Sequence, residues 1–373
     1  MGPVCYHLGE FPPETLDWSR LVALVGRANA ALARFDGLVS AVPNANVLLS
    51  PLTTQEAVLS SRIEGTQVTM GEVLEIEAAD DDTHLDSGRR DDAEEVRNYR
   101  AALIFAAGAA RARGLSLHLL REAHAILMDG VRGRDQSPGA FRVEQNWIGP
   151  AGCPIEQASF VPIPQEHLAT GLERWATFTS NAHGSDPLIL TALMHLEFEA
   201  LHPFKDGNGR LGRMLIPLQL AQSGALSGPH FFMSGYLEAN RDEYVHRMRR
   251  VSSHGEWSEW VEFFLAGVLD QAVENRGRAE RIVALFQEMQ HDIAAKTHSQ
   301  YASLAAEFIF SRPVFPSSAF SVGSGIPKPT ALRMLPVLRD HGILATVRAA
   351  SGRRPAVYAF RDLINITEGR DVL

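Results

Sequence analysis

Cysteine is almost absent. The chain of 373 residues has two, Cys5 and Cys153, far apart and outside any metal-like spacing, which argues against a disulfide framework and a cysteine-based metal site. No apolar run approaches the roughly 18 residues a membrane span needs. The opening stretch MGPVCYHLGEFPPETL lacks a basic segment followed by an apolar one, so no secretion signal is expected and the protein is expected in the cytoplasm. Positive charge is also short: Lys and Arg number 35 against 44 Asp and Glu, a net charge of −9. The whole chain is therefore no general binder of nucleic acid, and any such contact must come from a local basic patch. There is no internal repeat. What remains is an ordinary globular composition, 45% hydrophobic and 21% charged, long enough for two or three domains with cores of their own.

Helical periodicity dominates the rest. Between Thr15 and about Phe35 the residues Leu21, Leu24, Val25, Ala28 and Leu32 recur at helical spacing. The turn-like VPNAN precedes a second helical segment, TTQEAVLSSRIEGT. The acidic stretch EIEAADDDTHLDSGRRDDAEE reads as a solvated loop. Helices are expected over 94–112, 116–130, 165–180 and 187–202, and again from the end of a glycine turn to about residue 296. Between them, SPGAFRVEQNWIGPAGCPIEQASFVPIP carries the Gly, Pro and short aromatic runs of extended chain with a hairpin.

The last 75 or so residues change character. A helix over about 297–310 leads into turn-rich VFPSSAFSVGSGIPKP, a second helix in TALRMLPVLRDHGIL, and two β-like runs around SGRR. Helix, turn, helix and hairpin make the pattern of a winged helix-turn-helix. Lys328, Arg333, Arg339, Arg348, Arg353, Arg354 and Arg361 face one acid, Asp340, in this stretch. That patch could meet DNA, although Pro336 falls inside the would-be recognition helix and removes a hydrogen bond there. The alternative is a module that only packs on the body or on another subunit.

The densest chemistry lies in HPFKDGNGRLGR, residues 202–213. Pro203 disfavours helical geometry at His202, so the preceding helix should end there. The turn Gly207-Asn208-Gly209 can take positive φ angles and offers backbone N–H groups just before a helix, a ready anion site. Arg210 and Arg213, three apart, share a helix face and suit phosphate oxygens. Asp206 beside a bound phosphate makes sense if a divalent cation lies between them. His202 can take a proton from a nucleophile attacking that phosphate. Together these residues point to phosphoryl or nucleotidyl transfer. A metal-bundle reading competes: His195, Glu199 and His202 fall on one helical face, and Glu-x-x-His recurs at Glu243–His246. It leaves the glycine turn and both arginines unexplained.

The twelve residues resemble the signature of the Fic family (filamentation induced by cAMP), His-Pro-Phe-x-Asp/Glu-Gly-Asn-Gly-Arg-x-x-Arg, at every fixed position. PGAFRVEQNWIG and ASFVPIP resemble the family's segments on either side of its active-site flap. The resemblance implies a mainly α fold, a Fic-type helical bundle with a β-hairpin flap, joined to the small C-terminal winged helix-turn-helix-like domain. The expected division is residues 1–93 (N-terminal helical region), 94–296 (catalytic domain) and 297–373 (winged domain). The implied activity is transfer of AMP from ATP to a Ser, Thr or Tyr hydroxyl of a target protein, and to the chain itself.

Carried over, His202 would be the general base and Asp206 the ligand of Mg²⁺ or Mn²⁺. Gly207, Asn208 and Gly209 would form the anion hole, with Arg210 and Arg213 on the phosphates and Phe204 anchoring the loop. SSRIEGT resembles the family's inhibitory motif through Ser60, Glu64 and Gly65, with the Glu64 carboxylate competing with ATP for Arg213. SGYLEANRDEYVHRM resembles the nucleoside-contacting segment, making Tyr236 and Asn240 candidates for the base. The flap, about Gly152 to Phe160, would align the target by strand addition. Removal of AMP by the same residues, a DNA-binding regulator with a Fic sensor body, and a homodimer all stay open as alternatives.

Overall fold

The computed structural model describes residues 2–42, 44–78, 87–130, 136–180 and 185–371. A short strand β1 (Val4–Cys5) precedes helices α1 (Trp18–Ala41), α2 (Ala45–Leu48), α3 (Ser50–Ile63), α4 (Met70–Ala78), α5 (Ser87–Arg113) and α6 (Leu117–Leu127). After an irregular stretch come β2 (Phe160–Val161), α7 (Leu168–Ser180), α8 (Pro187–Leu201) and α9 (Asn208–Gln222). Then follow α10 (Ser234–Ala239), α11 (Arg241–His254) and the long α12 (Trp257–Thr297). The C-terminal part adds α13 (Ala302–Ser311), β3 (Val314–Pro316), α14 (Ser317–Gly323), α15 (Lys328–Asp340), β4 (Ala345–Arg348), β5 (Val357–Ala359) and α16 (Arg361–Glu368). The protein is thus mainly helical, with two small sheets. No helix among the described residues is long and apolar enough to cross a membrane.

The chain packs as two compact units, each gathered from separated stretches. One comprises Met1–Asp36, Leu59–Gly65 and Arg97–Glu274; the other comprises Gly37–Val58, Thr66–Val96 and Asn275–Leu373. This partition differs from three consecutive segments, because α4 packs on β3 and α16, and α2 on α13. Such pairings join residues more than 200 positions apart and leave no local trace in the sequence.

In the first unit, α8 and α9 form the centre. Asp186 caps α8, its carboxylate accepting from the N–H groups of Leu188 (2.9 Å) and Ile189 (3.3 Å), and Pro187 occupies the first turn where no N–H is missed. Nearly every residue of both helices is buried, as expected for helices apolar on most sides. The hairpin expected in 137–164 reduces to one antiparallel bridge, Ile148 with Phe160, enclosing a 3₁₀ turn at Ile155–Gln157. Phe160–Val161 pairs instead, in parallel, with Val4–Cys5. Residues 165–167 are a 3₁₀ turn, so α7 starts three residues later than periodicity suggests.

In the second unit, the stretch VFPSSAFSVGSGIPKP is not simply turn. It holds β3 and α14, and β3 joins β5 and β4 in an antiparallel sheet of order β3-β5-β4. Phe315 sits between Phe308 and Tyr358, so a strand of only three residues is fixed by aromatic packing rather than length. α15 runs unbroken through Pro336. Lys328, Arg333, Arg339, Arg353, Arg354 and Arg361 are exposed there, with Arg339 paired to Asp340 at 2.7 Å. Of the stretch read as an acidic loop, Glu75–Ala78 ends α4 and residues 87–95 begin α5; residues 79–86 lie outside the described residues.

Candidate functional site

The 202–213 segment folds as its composition predicts, with one difference. α8 stops at Leu201, and His202 takes a left-handed conformation (φ 47°, ψ 60°) as its C-cap. Gly207 alone of the glycine pair has positive φ (77°), and α9 begins at Asn208. Gly209 is therefore helical. Its smallness serves space rather than a turn, since a Cβ there would lie 2.1 Å from Glu64 Oε1 and 2.9 Å from Arg213 Nη1.

Three residues from elsewhere hold this loop. Arg142 is buried, and its guanidinium donates to the carbonyls of His202 (3.1 Å), Glu144 (3.0 Å), Ile163 (2.5 Å) and Leu201 (3.4 Å), while its own N–H donates to Pro203 O (2.9 Å). Burial without a carboxylate lowers its pKa to about 10. Asn146 Nδ2 donates to Phe204 O at 3.1 Å. His124 stacks on Phe204, ring centroids 3.7 Å apart, donates from Nε2 to Asp206 O (2.9 Å) and accepts at Nδ1 from Gly139 N–H (2.9 Å). Burial keeps it neutral, with a pKa near 4. Inside the loop, the Asn208 side chain spans Phe204, accepting its N–H at 2.8 Å and donating to its carbonyl at 2.9 Å. The Asn208 amide is thus committed to loop shape, and Phe204 is fully buried.

His202 Nδ1 lies 3.3 Å from Glu199 O, a contact that needs a proton on Nδ1 and leaves the Nε2 lone pair as the acceptor. Burial lowers its pKa to about 4, so the ring is neutral at physiological pH. Asp206 Oδ1 accepts the Gly207 N–H at 2.6 Å, and Oδ2 stands 3.8 Å from Arg210 on a half-exposed side chain. One carboxylate with an open oxygen matches Mg²⁺, which takes one or two carboxylates and fills its remaining positions with phosphate oxygens and water.

The two arginines part company. Arg210, buried, lies against Asp206 and Met128. Arg213 turns to the end of α3. Its Nε donates to Ser60 Oγ (2.9 Å), and Nη2 donates to Ser60 O (2.9 Å) and Glu64 Oε1 (2.6 Å). Gly65 follows with φ 109°, a backbone state suited to glycine where the helix ends. The sequence thus brings Ser60, Glu64 and Gly65 to the same place as the 202–213 loop. Burial alone would raise the Glu64 carboxyl, but the charge and hydrogen bond of Arg213 outweigh it and hold the group below the ordinary value. The carboxylate lies over Gly209 in the first turn of α9, at the mouth of the site, with its side chain still 41% exposed.

The remaining candidates are placed as follows. Asn240 Nδ2 donates to Tyr236 O (2.9 Å) at its own helix end, and the Tyr236 ring packs on Phe263 and Gly267 of α12. His195 is buried between Gly212 O (3.0 Å) and the Tyr244 hydroxyl (2.8 Å), and Glu243 pairs with Arg247. Among the described residues no three His, Cys, Asp or Glu side chains converge as a metal cluster, so the metal-bundle reading finds no support. Sequence reasoning did not foresee an apolar cavity of about 110 Å³ beside His202, lined by Ile148, Phe160, Leu196, Glu199, Ala200, Val245, Met248 and Arg249. Its lining comes from three separated stretches, and only Glu199 had been singled out for chemistry.

A neutral histidine, a half-exposed carboxylate, two arginines and a helix N-terminus thus stand together around one loop. The chain belongs to the Fic/DOC family: the family's N-terminal model matches residues 22–107 and its Fic/DOC model residues 114–220, together just over half of the chain. Among curated proteins it is similar to a protein adenylyltransferase Fic of Drosophila virilis, 27% identical over 224 residues, covering 57% of this chain and 41% of that protein. It is also similar to a probable protein adenylyltransferase of Aquifex aeolicus, 29% identical over 94 residues, covering 25% of this chain and 27% of the other. The chain thus spans well under two thirds of these relatives. In fold it resembles a Fic family protein from Desulfovibrio desulfuricans G20, with a TM-score of 0.59 at 19% identity, covering 94% of this chain and 98% of that one. A Fic domain containing signaling protein from Bacteroides thetaiotaomicron gives a TM-score of 0.55 at 16% identity, covering 69% and 96%.

Proposed function

We propose that the protein transfers AMP from ATP to a Ser, Thr or Tyr hydroxyl of a target protein and of itself, and restrains this activity through Glu64. The observation that carries it is the neutral His202, its Nδ1 proton committed to Glu199 O and its Nε2 open, set beside an arginine-flanked helix N-terminus. The triphosphate would lie on the first turn of α9 with Arg210 and Arg213, and the base in the cavity under Ile148 and Phe160. That placement of the base rests on the cavity rather than on Tyr236, whose ring packs on Phe263, or Asn240, whose amide serves the helix end.

His202 Nε2 would take the proton of the target hydroxyl as its oxygen attacks the α-phosphorus. The bond from that phosphorus to the α,β-bridging oxygen breaks, and pyrophosphate leaves. Asp206 Oδ2 would hold Mg²⁺, which when bound offsets phosphate charge. Arg213 cannot serve Glu64 and a phosphate equally, so the resting contact opposes the productive pose of ATP.

Label supplied as α-³²P-ATP is expected to enter the Glu64→Gly protein, while γ-³²P-ATP leaves it unlabelled. His202→Ala in that background lowers incorporation by about 10² or more. Transfer of the γ label instead would mean phosphorylation and overturn the reading. A second reading is supported by the ionised, solvent-reachable Glu64: it would orient water for removal of AMP from a modified protein. Release of AMP by the native enzyme but not by Glu64→Gln would favour it.

A further inference from the structure

The N-terminal segment meets every element that encloses the cavity beside His202, and all of these residues belong to one compact unit. The cavity has a roof, Ile148 and Phe160, and two helical walls: Leu196 and Ala200 on α8, Val245 and Met248 on α11. The roof is thinly tied within its own loop. Ile148 N–H donates to Phe160 O (2.9 Å), Ser159 N–H donates to Ile148 O (2.7 Å), and no longer ladder follows. Its second support is β1, where Val4 and Cys5 pair with Phe160 and Val161 and the Tyr6 N–H donates to Val161 O at 3.0 Å.

A pair of two-residue strands is too short to hold itself, so β1 needs an anchor. The next two residues supply it. The Tyr6 hydroxyl donates to Glu197 Oε1 of α8 at 2.6 Å. A carboxylate only accepts, so His7 Nε2 carries the proton that meets Glu197 Oε2 at 2.9 Å, and its Nδ1 meets the Ser252 hydroxyl of α11 at 2.8 Å. The His7 ring is buried, stacked on Tyr6 and set edge-on to Trp257. Glu197 directly follows Leu196, and Ser252 stands one turn beyond Met248, so each anchor point lies on a helix beside a wall residue. Fixing the chain end alone would need one helix. His7 spans both walls, and the strand before it runs on into the roof.

Resting on the placement of the nucleobase given above, we propose that residues 4–7 strap the roof of this cavity to its walls, with Tyr6 and His7 as positioning residues for Phe160. Neither side chain lines the cavity. The phosphate seat on α9 is held by other groups: Asn208 on Phe204, His124 on the Asp206 carbonyl, and Arg142 on the carbonyls of His202 and Pro203. A slackened strap therefore costs a bound ring its contact with Phe160 and leaves a phosphate chain in place. The strap acts on the part of the affinity that comes from the base.

The test is calorimetric binding to Glu64→Gly with Mg²⁺, comparing ATP with inorganic triphosphate, which has the phosphates and no base. ATP is expected to bind the more tightly. Adding His7→Phe, which keeps a ring and severs both bonds, should raise the ATP dissociation constant about tenfold, the scale of a lost buried hydrogen bond, and leave triphosphate within about twofold. His7→Gln, whose amide can donate to Glu197 and accept from Ser252, should restore most of the ATP affinity. Tyr6→Phe drops one hydroxyl and keeps the packing; it should give a smaller rise of the same kind, and it decides the matter if His7→Phe does not fold. ATP binding unchanged by these substitutions, or ATP and triphosphate weakened in parallel, overturns the strap and leaves the nucleotide site standing. ATP no tighter than triphosphate in Glu64→Gly itself would mean that the cavity holds no base, and the strap falls with that placement. Binding of neither ligand overturns the site.

Discussion

Glu197 and Glu199 stand two residues apart on α8 and face different surroundings. Both Glu197 oxygens are taken: the Tyr6 hydroxyl donates at 2.6 Å, and His7 Nε2 lies at 2.9 Å with its other nitrogen on Ser252. That cluster pins the N-terminal strand that pairs with Phe160–Val161. Glu199 has an unpartnered oxygen and a raised pKa. The arginines repeat the contrast. Arg142 spends its donors on backbone carbonyls that cannot leave, whereas Arg213 holds Glu64, a side chain at the mouth of the site that is still partly open to solvent. Burial and charge alone do not separate structural from functional groups here. Whether the partner is fixed or exchangeable does.

The largest stability effect is expected at Glu197. Glu197→Ala strands a buried hydroxyl and an imidazole, and should cost about 3 kcal/mol in denaturant unfolding. An undiminished midpoint would break the contrast. Glu64→Gly should shift the thermal midpoint far less than Glu197→Ala, because its carboxylate is partly open to solvent. The smallest effect belongs to Glu199→Gln and depends on pH. The folded-state pKa of Glu199 lies above the free value, so its contribution to stability is fully present below about 4.5 and lost as pH rises through about 7. The thermal midpoint of Glu199→Gln relative to the native chain should therefore climb between those values. A constant difference would mean that Glu199 titrates as a free carboxyl.

Much of the site was legible because it is local. His202 to Arg213 lie within one loop and the start of one helix, so their spacing already places them together; Ser60 and Glu64 were readable as a second short motif. What escaped depends on distant partners. His124 reads as one more residue of an amphipathic helix, and Arg142 as a loop charge, until the fold sets them against Phe204 and the carbonyls of 201–203. β1 has two residues and no periodicity of its own, so its pairing with Phe160–Val161 leaves no signal. β3 was hidden for the same reason, in a stretch rich in Pro, Ser and Gly. Gly209 was seen as a turn former, but the reason for it is a carboxylate 145 positions earlier in the chain.

The restraint by Glu64 is tested most directly by the initial rate of α-³²P-ATP incorporation in the native chain and in Glu64→Gly, compared at equal concentration with Mg²⁺. The account predicts a large gain on removing the carboxylate, abolished when His202 is also changed to Ala. Equal rates with and without Glu64, in a protein that labels at all, would contradict it.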